Sequence, residues 1–156
     1  MNRIAGTTIA LLLSTSSGAA TVPEGNEGLK PLEELITEEA LSDQGKMGYI
    51  GLRCGALSSA IGVILQNSGQ QDVAYQYERT SFLWYAFSTG IYEEIGVSNA
   101  DDTVVRSAQE LVAKYSDITN SNWVTSGSYF SDTFVERDMM LCSHMLARFQ
   151  SMEKSE

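Results

Sequence analysis

Two cysteines, a single histidine and an arginine set inside an apolar run are the residues of this 156-residue chain best placed to do chemistry. Cys54 and Cys142 form an even pair with no Cys-x-x-Cys motif, so their chemistry is cross-linking rather than thiol–disulfide catalysis. Both fall on apolar faces of helical segments. In a reducing compartment such residues are buried free thiols. In an oxidising one a pair on facing helices bonds, and that is the expectation here. The loop so closed is long enough for the chain-entropy account to assign it about 4.5 kcal/mol.

His144 lies two residues from Cys142. Residues i and i+2 on a helix point apart, so the two cannot share a metal. The chain has no Cys-x-x-Cys-His for haem and no Glu-x-x-His for a di-iron bundle. A serine hydrolase triad would need His144, and no nucleophile elbow accompanies it. No phosphate loop occurs either, because Gly48, Gly51, Gly55 and Gly62 lie inside a helical pattern with no Gly-Lys-Ser/Thr after them. We therefore expect no metal, no cofactor and no catalytic residue. Glu93, Glu94, Asp101 and Asp102 match no calcium loop and read as solvated acidity.

Two features suggest binding rather than catalysis. Arg53 is the only charge between positions 47 and 65. It must reach water, meet a carboxylate or face a ligand. Trp123, Tyr129 and Phe130 sit in the polar stretch 120–131, a composition typical of binding surfaces, although such aromatics also plug the ends of bundles. Together with Arg53 they are the candidate binding surface.

The elements that must position these residues are helices. Met47, Ile50, Cys54, Leu57, Ile61 and Leu65 recur at three and four residues, which predicts a helix over about 43–67. Beside that face runs a stripe of small residues, Gly48, Gly51, Gly55 and Gly62. Each glycine costs about 1 kcal/mol in a helix interior, so the stripe calls for close approach of another helix backbone. A second helix is expected over 70–95, with Val73, Tyr77, Trp84, Phe87, Ile91 and Ile95 inward. A third is expected over 99–119, capped by Ser98 or Asn99, and a fourth over 132–150. A short extra helix fits near 31–41, where Pro31 suits a first turn. No period-two alternation persists. The reading is one all-α, four-helix bundle-like domain over 31–150, with a frayed tail at 151–156.

Residues 1–20 have the layout of a secretory signal peptide. Met1-Asn2-Arg3 is a positive start, Ile4 to Leu13 is mostly apolar, and Gly18-Ala19-Ala20 places small residues before a cut between Ala20 and Thr21. Residues 21–30 read as a flexible linker. The expected address is the periplasm, with full secretion as the alternative. A net charge of −10 argues against nucleic acid and anionic membranes and would suit a basic partner. The expected function is an exported, non-enzymatic binding protein of inhibitor, immunity or chaperone type, acting on a protein or small ligand. One alternative is membrane anchoring through residues 47–65, whose glycine stripe is compatible with helix pairing in a bilayer but whose Arg53 opposes it. The other is an enzyme with a carboxylate-based site.

Overall fold

The computed structural model describes residues 28–153. The leader, its cut at Ala20–Thr21, most of the linker and the last three residues lie outside the described residues. Six helices follow in order: α1 (Leu32–Leu35), α2 (Glu38–Ser42), α3 (Gln44–Asn67), α4 (Gln71–Glu94), α5 (Ala100–Ser126) and α6 (Thr133–Glu153). Among the described residues there is no strand. The protein is an all-helical bundle, with α3, α4 and α5 packed together and α6 laid against α3.

Local chemistry sets the boundaries. The Thr37 hydroxyl accepts from the Ala40 N–H at the start of α2, and Asp43 accepts from the Lys46 N–H at the start of α3. Gly69, Gly96 and Gly127 take positive φ just beyond the ends of α3, α4 and α5, the conformation in which a helix is commonly closed. Asp132 caps α6 through the Val135 N–H. α6 continues to Glu153, past the expected end at 150. The region near 31–41 holds two short helices rather than one.

The long third helix corrects the sequence reading. It was expected to stop at 119, but α5 runs to Ser126. Serine, threonine and asparagine are neutral to unfavourable inside a helix, because their side chains can bond the backbone in other conformations. Here the hydroxyls of Thr125 and Ser126 return to the carbonyls of Ser121 and Asn122 one turn back. The Asn122 side chain also donates to the Tyr129 carbonyl, so the helix end is held to the following turn.

α3 is the core of the fold. It is long and apolar enough to cross a membrane, yet 67% of its most apolar window is buried within the protein. Its glycine stripe does have a reason, though not quite the expected one. Rings and a hydroxyl from α4 lie directly on the glycines. A methyl group at Gly51 would come within 2.5 Å of Ser88 Oγ and 2.8 Å of the Phe87 ring, and one at Gly55 within 2.5 Å of the Tyr85 ring. Tyr92 covers Gly48 in the same way. Only at Gly62 is the α4 backbone itself the near neighbour, with the Ala74 carbonyl at 3.6 Å. Positions rising along α3 meet positions falling along α4, so the two helices are antiparallel. This fit also turns α4 about its axis. Its buried residues are Ala74, Ser81, Trp84, Ser88 and Tyr92, while Val73, expected inside, is exposed. Ser88 can be fully buried because its hydroxyl donates to the Gly48 and Trp84 carbonyls, which offsets the cost of burying it.

Candidate functional site

Arg53 is 1% exposed and its partner is Asp138, at 0%. Arg53 Nη2 donates to Asp138 Oδ2 at 2.8 Å and to the Lys30 carbonyl at 2.9 Å. Arg53 Nε donates to the Tyr115 hydroxyl at 2.9 Å, which in turn donates to Asp138 Oδ2 at 2.6 Å. Asp138 Oδ1 accepts the backbone N–H of Leu32 at 2.8 Å. The guanidinium also lies over the Tyr115 ring, 5.3 Å from its centre. Four helices thus meet at one carboxylate: α1 through Leu32, α3, α5 and α6.

The electrostatics follow from that closure. Burial alone would lower the Arg53 pKa, but the neighbouring Tyr115 and Asp138 outweigh it and raise it, so the group stays charged. Burial pushes the Tyr115 phenol well above its ordinary value; Arg53 opposes this and the Asp138 charge reinforces it. A neutral phenol is the form that can donate to Asp138 while accepting from Arg53. The arrangement is internally satisfied and offers no group to a substrate. Its chemistry is structural.

The cysteines lie directly beside it. Cys54 follows Arg53 on α3, and Cys142 is one turn beyond Asp138 on α6. Their sulfurs are 2.03 Å apart and their Cα atoms 5.4 Å apart, within disulfide geometry. Covalent and ionic links therefore join the same two helices at neighbouring turns. Arg53 belongs to this interior cluster and not to the surface on which the sequence reading had placed it. A carboxylate partner was among the readings of Arg53; which carboxylate was missed. The signal was present, since Asp138 shares the α6 face of Val135 and Cys142.

Trp123 and Tyr129 do come together. Their rings stack with centres 4.7 Å apart and a 16° interplanar angle, and Trp123 is 50% exposed. Phe130 follows at the same end of the bundle, partly exposed. His144 is on the exposed side of α6. Among the described residues no cluster of three histidines, cysteines or carboxylates is arranged to hold a metal ion.

A larger apolar surface went unread in the sequence. α4 and α5 bound a groove of about 700 Å³ lined by Phe82, Tyr85, Ala86, Val104, Val105, Ala108 and Val112, with Asp101 and Thr89 at its edge. Phe82 is 64% exposed and Val105 56%. Phe82 and Tyr85 also line an adjoining cleft that carries Val63, Tyr75 and Glu78. The charged side chains along this face, Asp101 and Glu78, are both acidic. The Tyr85 ring is held on Gly55, and its hydroxyl shares a hydrogen bond with Ser59, so one wall of the groove is fixed by the glycine stripe. No protein-family model, no curated protein and no solved structure matches this chain.

Proposed function

We propose that this chain is an export-directed binding protein, not an enzyme, and that it presents the α4–α5 groove to a basic partner with an apolar stripe. The observation that carries this reading is the contiguous apolar face running from Val63 and Tyr75 through Phe82 to Val105. Apolar patches of that kind, rimmed by charge, mark interaction sites. The acidic rim and the net charge of −10 favour a cationic partner. Export is supported by the leader pattern in residues 1–20 and by the Cys54–Cys142 pair, since such bonds persist in oxidising compartments. The periplasm suits both.

The enzyme reading gains little support, because the one deeply buried carboxylate, Asp138, is committed to Arg53, Tyr115 and Leu32. Anchoring through residues 47–65 would require α3 to leave the helices that cover it and Arg53 to lose its partner. A second surface, the Trp123–Tyr129 stack, is favoured by its exposure; alanine at both positions should weaken partner capture without lowering the melting temperature.

The test of the groove uses two synthetic amphipathic helical peptides with the same leucine face, one with lysines and one with glutamates opposite. The lysine peptide should bind, more weakly as salt rises, and Phe82→Ser with Val105→Ser should weaken it at least tenfold with the melting temperature unchanged. Equal binding of both peptides, or no effect of the double substitution, would remove the groove from consideration.

A further inference from the structure

At the C-terminal end of α5 the chain builds a flat aromatic platform. Gly127 takes a φ of +72°, and its N–H donates to the Trp123 carbonyl, which turns the chain back on itself. The buried Asn122 amide then holds the Tyr129 carbonyl at 3.1 Å. These bonds set the Tyr129 ring face to face with Trp123, at 4.7 Å and 16°. One face of the indole is covered by that ring, yet Trp123 is still 50% exposed, which leaves the other face open. The segment around it is polar and neutral. From Ile118 to Ser131 there is no charged side chain, in a chain whose net charge is −10. Asn120 lies three residues before Trp123, on the same face of α5. It is exposed, and its amide makes no hydrogen bond among the described residues.

We propose that this platform binds a neutral pyranose sugar, one ring of a β-linked glycan lying flat on Trp123 with its hydroxyls turned to Asn120. The proposal rests on the reading of the Trp123–Tyr129 stack as a binding surface and names the ligand of that surface. A β-glucopyranose ring holds every hydroxyl equatorial, so each of its faces shows only C–H groups. Those hydrogens are slightly positive and meet the negative face of the indole. The rim of the ring carries hydroxyls that both donate and accept, and an amide side chain offers both a donor and an acceptor. An acidic sugar would find no counter-charge in this segment and would be repelled by the net charge of the protein. Two rings already stacked lose little freedom when a third settles on them, so the site is preorganised.

Cellotriose is the probe. Sorbitol, which has hydroxyls but no ring, and trigalacturonic acid, which has charged rings, are the controls. The chain has two tryptophans, so two indole N–H signals are expected by nuclear magnetic resonance, and Trp123→Phe assigns them. Cellotriose should shift the Trp123 signal and leave that of Trp84 in place. Its own ring C–H protons should move upfield, the mark of protons lying over an aromatic face. Both controls should bind at least tenfold more weakly. Trp123→Ala should abolish binding. Asn120→Ala, at an exposed position, should weaken it roughly fivefold with the melting temperature unchanged, the difference one hydrogen bond provides. A Trp123 signal unmoved by cellotriose, equal binding of sorbitol, or undiminished binding by Asn120→Ala overturns the proposal. So does binding of a hexaproline peptide with none of cellotriose. The surface reading itself falls only if alanine at Trp123 and Tyr129 leaves partner capture intact, so the two failures are told apart.

Discussion

Replacing Asp138 by alanine is the most informative single change in this protein. The substitution removes the acceptor for Arg53 Nη2, for the Tyr115 hydroxyl and for the Leu32 N–H at once. What remains is a guanidinium at 1% exposure with a tyrosine hydroxyl and one carbonyl for company. Breaking a buried pair from one side costs about 3–5 kcal/mol, because the surviving charge is left uncompensated. A domain of this size has about 5–15 kcal/mol in all, so the loss is a large share of its stability. At roughly 3–6 °C per kcal/mol, the melting temperature should fall by about 9–30 °C. The triple variant Arg53→Met, Tyr115→Phe, Asp138→Leu separates the cost of an orphaned charge from the value of the pair. It removes every polar group of the cluster except the Leu32 N–H and Lys30 carbonyl. Buried ion pairs replaced by apolar groups of similar size are often neutral. The triple variant should therefore recover most of the loss, short by about 1–3 kcal/mol for the backbone groups it leaves unpaired. Urea unfolding followed by circular dichroism measures each step. A loss under about 1 kcal/mol for Asp138→Ala, or a triple variant no better than the single, would refute the argument that an uncompensated interior charge dominates.

Reduction of the Cys54–Cys142 bond, which spans 88 positions, should lower stability by up to about 4.5 kcal/mol, read as a drop in melting temperature with dithiothreitol; two free thiols titrated in the untreated protein would contradict the bond. Gly55→Ala and Gly62→Ala should differ in sign. The first forces a methyl group to 2.5 Å from the Tyr85 ring and should cost about 1–3 kcal/mol, while the second meets nothing closer than 3.6 Å and should gain up to about 1 kcal/mol in helix propensity. Burial raises the pKa of Tyr85, Tyr92 and Tyr115 above the ordinary phenol value. Above about pH 10 the folded state then holds more protons than the unfolded one, so stability should be intact below that pH and fall as pH rises through the shifted values. Melting temperatures from pH 8 to 11 check the sign, and a flat profile would count against burial of these phenols.

The four long helices were legible because their apolar residues recur at helical spacing, and Gly69 and Gly96 mark the stops of the first two. The Cys54–Cys142 pair was legible because both cysteines lie on those faces. What was hidden depended on partners far apart in sequence. Asp138 reads as a surface acid until Cys142 is set opposite Cys54, after which Arg53 has to face it. The rotation of α4 was hidden because a hydropathy pattern ranks Val73 above Ser88. Packing inverts that order, as only a small hydroxyl fits against Gly51 and can donate to the Gly48 carbonyl. The end of α5 was misjudged because serine and asparagine count as loop formers unless their side chains are seen to close back on the helix. The α4–α5 groove escaped notice because it is shared between two helices: Phe82 and Tyr85 stand out as aromatics beyond the inner face of α4, but nothing in the sequence sets Val105 and Val112 opposite them.

The links between α3 and α6 also bear on the order in which the chain can be completed. A ribosome releases Arg53 and Cys54 long before Asp138 and Cys142, which follow 85 and 88 positions later. Until then the central helix carries an unneutralised charge on the side its last partner will cover. A nascent chain lacking α6 cannot settle into the finished bundle, however well its first helices form. Closure of these two links thus waits for the C-terminal helix, whereas the packing of α4 and α5 on α3 does not.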